Sequence, residues 1–138
     1  MSTEGAVPSR RFSEHRRHVL CVDDAQPLLE CLTEVLEING YEVSASASPV
    51  QTAQMFVSGD FDLAILDYDM PAMNGAQLAA WLKTASPELK VILYTGALSV
   101  PRHELRFVDQ MVHKSEGVLA LLSAVETFLP SCHVNASQ

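Results

Sequence analysis

Cysteine is scarce in this chain of 138 residues, and Cys21, Cys31 and Cys132 form an odd set with no ligand-like spacing. That excludes a disulfide framework or a thiolate metal centre, and the three read as core or surface thiols of a reducing compartment. Long apolar runs are missing as well. None approaches the ~20 residues that a membrane helix needs, and the polar opening Met1-Ser2-Thr3-Glu4 has no secretory core. The expectation is a cytoplasmic chain with no membrane partner. Basic residues are few, nine Lys and Arg against 17 Asp and Glu, for a formal net charge of −8. Arg10, Arg11, Arg16 and Arg17 lie in the first 17 residues, so the rest of the chain is strongly acidic and repels nucleic acid. The histidines show no ligand spacing either. His15 and His18 are assigned to the arginine-bearing tail and His113 to a strand. No internal repeat and no second domain is seen, and the expected organisation is a flexible tail over 1–17, one domain over 18–130, and a short tail over 131–138.

What the chain does have is a series of apolar strands that end on polar residues. Val19-Leu20-Cys21-Val22 delivers Asp23 and Asp24, Leu63-Ala64-Ile65-Leu66 delivers Asp67, Val91-Ile92-Leu93-Tyr94 delivers Thr95, and Met111-Val112-His113 delivers Lys114. Between them strand and helix signals alternate, the pattern of βα units around a parallel sheet. Leu28, Leu29, Leu32, Val35 and Leu36 recur at helical spacing, with Asn39-Gly40 as the stop. A second strand is expected over Tyr41–Ala45. A second helix opens on Ser48-Pro49-Val50-Gln51, with serine as cap, and runs to about Gly59. A loop with Met70-Pro71 and Asn74-Gly75 follows Asp67, and a third helix carries Leu78 and Leu82 to Ser86-Pro87. Between Thr95 and Lys114 the helical signal is poor: Pro101 interrupts it, and only Leu105, Phe107 and Val108 offer an apolar face. The last helix spans about 117–128. Five strands and five helices are expected, the fourth helix being the weakest.

In an open parallel sheet the carboxyl ends of the strands share one edge, where ligands bind. Three acids, a hydroxyl and a lysine on that edge suit a divalent cation and a phosphoryl group. Magnesium takes hard oxygen ligands and keeps several waters. Asp23, Asp24 and Asp67 supply carboxylates whose mutual repulsion a cation relieves. A carboxylate can also attack phosphorus to form an aspartyl-phosphate. Lys114 suits a phosphoryl oxygen as a compact ammonium, and Thr95 as a hydroxyl donor. Simpler roles remain open for each residue. Asp23-Asp24 can cap the following helix, Thr95 can be an ordinary strand-end residue, and Lys114 a solvated one. Asp69 is expected at the rim facing solvent, with Asp60 and Asp62 as turn residues at the opposite edge.

Taken together, Val19–Asp24, Leu66-Asp67-Tyr68-Asp69-Met70-Pro71 with Asn74-Gly75, Tyr94-Thr95-Gly96 and His113-Lys114-Ser115 resemble a response-regulator receiver domain of two-component signalling, over about residues 18–130. The resemblance implies a doubly wound, flavodoxin-like α/β fold with strand order 2-1-3-4-5. It implies Asp67 as phosphoacceptor, Asp24 as direct metal ligand, Asp23 as a companion acid acting mainly through water, and the Asp69 backbone carbonyl as a further ligand to Mg2+ or Mn2+. Thr95 and Lys114 resemble the switch hydroxyl and the phosphate-binding lysine. The implied partners are a sensor histidine kinase or histidine phosphotransfer protein and a downstream protein reached through a contact surface, with no turnover of an external substrate. The expectation is a stand-alone receiver. Three positions depart from the family pattern: Ser115 stands where proline is usual, Met111 where a switch aromatic is usual, and Pro101 interrupts a short fourth-helix interval. A haloacid-dehalogenase-like phosphatase shares an Asp-x-Asp motif, here Asp67-Tyr68-Asp69. Its motif order is reversed, with the nucleophile first and the acid pair last. A pseudo-receiver would lack an acid, the threonine or the lysine, and none is missing.

Overall fold

Alternation along the strands decides how this chain folds, because successive side chains of a strand point to opposite faces. The computed structural model describes residues 17–56 and 60–130. Readings that fall on residues 1–16, on Gly59 and on Cys132 lie outside them. The strands are β1 (His18–Val22), β2 (Glu42–Ser46), β3 (Leu63–Leu66), β4 (Lys90–Thr95) and β5 (Gln110–His113). They form one sheet in the order β2-β1-β3-β4-β5, every pairing parallel. Val19, Cys21, Leu63, Ile65, Ile92, Tyr94 and Val112 face one layer. Leu20, Val22, Ala64, Leu66, Val91 and Leu93 face the other. Both faces are apolar because both are covered, as a parallel sheet requires.

Helix α1 (Gln26–Ile38) and helix α4 (Val118–Phe128) cover the first face, through Leu29, Leu32 and Leu36 on one and Leu121, Ala124 and Val125 on the other. Helix α2 (Pro49–Met55) and helix α3 (Gly75–Ala85) cover the second, with Leu78, Ala79 and Leu82 of α3 fully inside. Asn39 closes α1, and Gly40 takes φ 96°, a left-handed turn that suits glycine. Ser48 caps α2 by accepting the Gln51 N–H, while the Gln51 side chain accepts the N–H of Ala47, one residue before the cap.

Four expectations need correction. The fourth helix is replaced by a single 3₁₀ turn, Arg102–Leu105, whose first residue follows Pro101. That leaves four α-helices among the described residues, in keeping with an interval that holds too few apolar residues to bury a helical stripe. His18 is not a tail residue but opens β1, its ring bonded to the Ser44 hydroxyl and to the Asp60 carbonyl. β2 starts at Glu42 rather than Tyr41, because the Tyr41 N–H donates to the Leu36 carbonyl at the end of α1 and pairing with β1 begins at Glu42. The Tyr41 side chain is buried in the core and donates its hydroxyl to the Leu129 carbonyl at 2.6 Å. α2 stops at Met55, before Phe56 turns into extended backbone.

The bond from Tyr41 ties the start of β2 to the end of α4 across 88 residues. Removing one partner leaves a buried carbonyl unsatisfied, at a cost of about 1–3 kcal/mol. Tyr41→Phe is therefore expected to lower stability by about 2 kcal/mol in urea unfolding, with the m-value unchanged.

Candidate functional site

Parallel pairing places the ends of β1 and β3 side by side, with Val22 opposite Leu66. Asp23 and Asp67 are the next residues on each strand, and both are buried, 3% and 6% exposed. Their backbones are fixed by the neighbouring strands: Asp23 N–H donates to Ser46 C=O at 3.1 Å, and Asp67 N–H to Val22 C=O at 2.9 Å. Asp24 follows at the surface. One carboxylate oxygen from each of Asp23, Asp24 and Asp67 lies within 4.8 Å of the others, the one such acidic cluster among the described residues.

Lys114, just beyond β5, brings the counter-charge. Its Nζ lies 2.8 Å from Asp23 Oδ2 and 3.3 Å from Asp67 Oδ1. β5 is two strands from β3, so the flexible four-carbon stem of the lysine spans the end of β4 to reach the acids. Burial holds the Asp67 carboxyl above its ordinary value, and the charge of Asp23 pushes the same way, against the pull of the Lys114 ammonium. Burial by itself would lower the Lys114 ammonium. Its hydrogen bond to Asp23, and the charges of Asp23 and Asp67, outweigh that and leave it raised.

The remaining sequence-derived residues are placed unevenly. Thr95 is fully buried at the end of β4, beside His113 in register, and its Oγ1 accepts the Ala97 N–H at 2.9 Å rather than meeting the carboxylates. Asp69 is exposed. Met111 is half-buried opposite Leu93 and packs on the second core with Leu105 and Val108. The capping alternative for Asp23 holds only in part. Its Oδ1 accepts the Ala25 N–H at 2.9 Å, but Ala25 is the N-cap of α1 and makes no side-chain cap bond. Asp62 is more than a turn residue, since its carboxylate accepts the His18 N–H at 3.0 Å at the start of β1.

Two contributors were missed in the sequence, one of them legible there. Asn74-Gly75 reads as a turn, yet Asn74 caps α3 in a full capping box with Gln77, a signal present in the spacing Asn-x-x-Gln. Gly75, the first helical residue, packs against the Asp67 backbone. A Cβ there would overlap the Asp67 carbonyl oxygen and lie 2.8 Å from Leu93 Cδ1. The other is Tyr68, whose carbonyl accepts the Gly75 N–H at 3.0 Å and whose hydroxyl donates to Glu104 Oε1 at 2.6 Å. That bond holds the phenol above its ordinary value. The residues are 36 apart, and no local pattern joins them.

The chain matches the family model of the response regulator receiver domain over residues 19–124. It belongs to that family. Receiver domains are signalling modules, not enzymes that turn over a substrate. Among curated relatives, it is 36% identical over 84 residues to the response regulator protein FleR of Pseudomonas aeruginosa, covering 61% of this chain and 18% of that one. It is 28% identical over 112 residues to the response regulator MprA of Mycobacterium ulcerans, covering 81% and 42%. The chain thus spans less than half the length of these relatives. Among solved structures it is similar to the response regulator TrrA of Thermotoga maritima in complex with Mg2+-BeF, at a TM-score of 0.76 and 30% identity, covering 82% of this chain and 99% of that one. It is equally similar in sequence to TrrA in complex with the histidine kinase ThkA, at a TM-score of 0.74 and 30% identity, covering 82% and 98%. No helix among the described residues is long and apolar enough to cross a membrane.

The packing of Gly75 makes a sharp prediction for this receiver domain. Alanine is the better helix former by about 1 kcal/mol, so local propensity alone would make Gly75→Ala stabilising. Steric overlap with the Asp67 backbone reverses the sign, and unfolding measurements are expected to show a loss of about 2–3 kcal/mol. Gly96→Ala is the contrast. A Cβ there meets only Lys114 Cδ, at an ordinary 4.0 Å, and its effect is expected to stay below ~1 kcal/mol.

Proposed function

We propose that Asp67 accepts a phosphoryl group from the phosphohistidine of a sensor histidine kinase or histidine phosphotransfer protein, and that the chain works in the cytoplasm, signalling through protein contacts. The observation that carries this reading is the convergence of Asp23, Asp24 and Asp67 with the Lys114 ammonium at one sheet edge. In the transfer, an Asp67 carboxylate oxygen bonds to phosphorus while the phosphorus–nitrogen bond of the phosphohistidine breaks. The electron pair leaves with the imidazole, which takes up a proton. Lys114 is within reach of a phosphoryl oxygen on Asp67 Oδ1. The Thr95 hydroxyl, whose hydrogen the Ala97 N–H bond leaves free, serves a second oxygen as a donor. Hydrolysis by water later frees Asp67, one phosphoryl group per chain.

The donor set fits a hard divalent cation: three carboxylates within 4.8 Å and no thiol or imidazole among them. Asp23, Asp24 and Asp67 would hold Mg2+ or Mn2+, with the Asp69 backbone carbonyl as a further ligand. Bound there, the cation would neutralise negative charge on the phosphoryl oxygens. The similarity to TrrA with Mg2+-BeF, and to TrrA bound to ThkA, supports both the metal and the kinase partner for this chain.

Incubation with acetyl phosphate and Mg2+, followed by intact-mass spectrometry, tests the reading. Wild type is expected to gain one phosphoryl group, and Asp67→Ala none. Equal labelling of the two would overturn the assignment. Metal binding adds a pH test. The raised carboxyl of Asp67 keeps its proton to a higher pH than a free aspartate does, and the proton competes with the cation. Calorimetric Mg2+ affinity is therefore expected to be full at neutral pH. It falls as the pH drops, with a midpoint above the ordinary aspartate value of about 3.9, and Asp67→Asn removes that titration.

A further inference from the structure

Beside the packing of Val100, Leu105 and Val108 on the second core, polar bonds tie the segment 96–109 to the rest of the domain at three places. Where it leaves β4, the Ala97 N–H donates to Thr95 Oγ1. At its far end Asp109 is anchored firmly, its carboxylate accepting from Lys83 Nζ at 2.7 Å and from Val91 N–H at 2.8 Å, while its own N–H donates to Val91 C=O. Between these ends, Tyr68 donates from the loop after Asp67 to Glu104, in the 3₁₀ turn. The turn is short and its own backbone bonds are few, Glu104 N–H to Pro101 C=O and Val108 N–H to Leu105 C=O. Met111, a flexible unbranched chain, lies beneath it and defines two discrete positions poorly. Tyr68 is covalently next to Asp67 and is a rigid ring with two side-chain torsions.

We propose that the Tyr68–Glu104 hydrogen bond is a latch that holds the 102–108 surface against the phosphoacceptor loop and opens when Asp67 is phosphorylated. The proposal rests on the phosphoacceptor reading above. The Thr95 hydroxyl accepts the Ala97 N–H and keeps its own hydrogen free to donate, so on moving toward a phosphoryl oxygen it draws Ala97 and the start of the segment with it. Glu104 moves with the segment and Tyr68 with the Asp67 loop. The bond is 2.6 Å long and ceases to exist beyond about 3.5 Å, so a relative displacement of roughly 1 Å opens it. With Asp109 still anchored to β4 and α3, the released part is 102–108 rather than the whole segment. This surface then becomes the phosphorylation-dependent face that a downstream protein reads.

Hydrogen exchange on the full chain, with Mg2+ and with or without beryllofluoride, tests the latch. In wild type, beryllofluoride is expected to lower protection over 102–108 by about tenfold, the equivalent of one hydrogen bond. Tyr68→Phe keeps the ring but removes the donor, and Glu104→Ala removes the acceptor. Both are expected to show the lowered protection without beryllofluoride and little further change with it. Glu104→Gln keeps an acceptor oxygen and should behave as wild type. Acetyl phosphate is expected to label Asp67 in all of them. Wild-type protection over 102–108 in unliganded Tyr68→Phe, with a full beryllofluoride response, overturns the latch alone. Failure of wild type to be labelled at Asp67 overturns the phosphoacceptor reading and the latch with it.

Discussion

Two carboxylates buried side by side at neighbouring strand ends constrain everything else in this molecule. Asp23 and Asp67 are almost fully removed from water, where like charges repel strongly and an unpaired anion is costly. The fold tolerates them because Lys114 bridges both. The strand order sets the span of that bridge, because β4 lies between β3 and β5 and the lysine stem crosses its end. Even so, one ammonium faces three acids, and the cluster retains an excess of negative charge. A divalent cation is the complementary partner, and a phosphoryl group brings the further negative charge that the cation and Lys114 then share.

Around this cluster the backbone is fixed more tightly than the side chains. The N–H groups of Asp23 and Asp67 are spent on neighbouring strands, and Gly75 lets α3 begin directly against the Asp67 carbonyl. The acids are therefore delivered by rigid elements, and the loop from Tyr68 to Asn74 leads from Asp67 into α3. Ala72 in that loop adopts φ 75°, a left-handed conformation unusual for a residue with a Cβ. Strain of this kind next to a reactive group persists only where the surroundings impose it. Here the capping box of Asn74 and the Tyr68 carbonyl bond to Gly75 supply that constraint.

The opposite character of the 96–109 interval follows from its composition. Pro101 and a thin apolar set leave a 3₁₀ turn where a full helix would need a continuous buried stripe. Leu98 is almost wholly exposed and Phe107 partly so. The interval is tied down by side chains, Asp109 at one end and Glu104 in the middle, more than by its own backbone hydrogen bonds. Segments held in this way lie at the low-stability end of a domain and are the natural place for a conformational response.

Much of this was legible in the sequence because its signals are local. The apolar runs, their alternation with helical patterns, and the polar residue at the end of each run all repeat within a few residues. Together they determined the α/β class, the parallel sheet and the edge that carries Asp23, Asp24, Asp67, Thr95 and Lys114. Even the weakness of the fourth helix could be read from Pro101 and the poor apolar face. Other features were decided by tertiary structure alone, because they join residues far apart in the chain. No local pattern pairs Tyr68 with Glu104 or Tyr41 with Leu129, places His18 in β1 against Ser44 and Asp60, or shows that Gly75 has no room for a Cβ. Burial separated Asp23 from the adjacent Asp24, one paired with Lys114 inside and the other at the surface. The sequence determines which groups reach the edge; the distance across four neighbouring strand ends decides which of them touch.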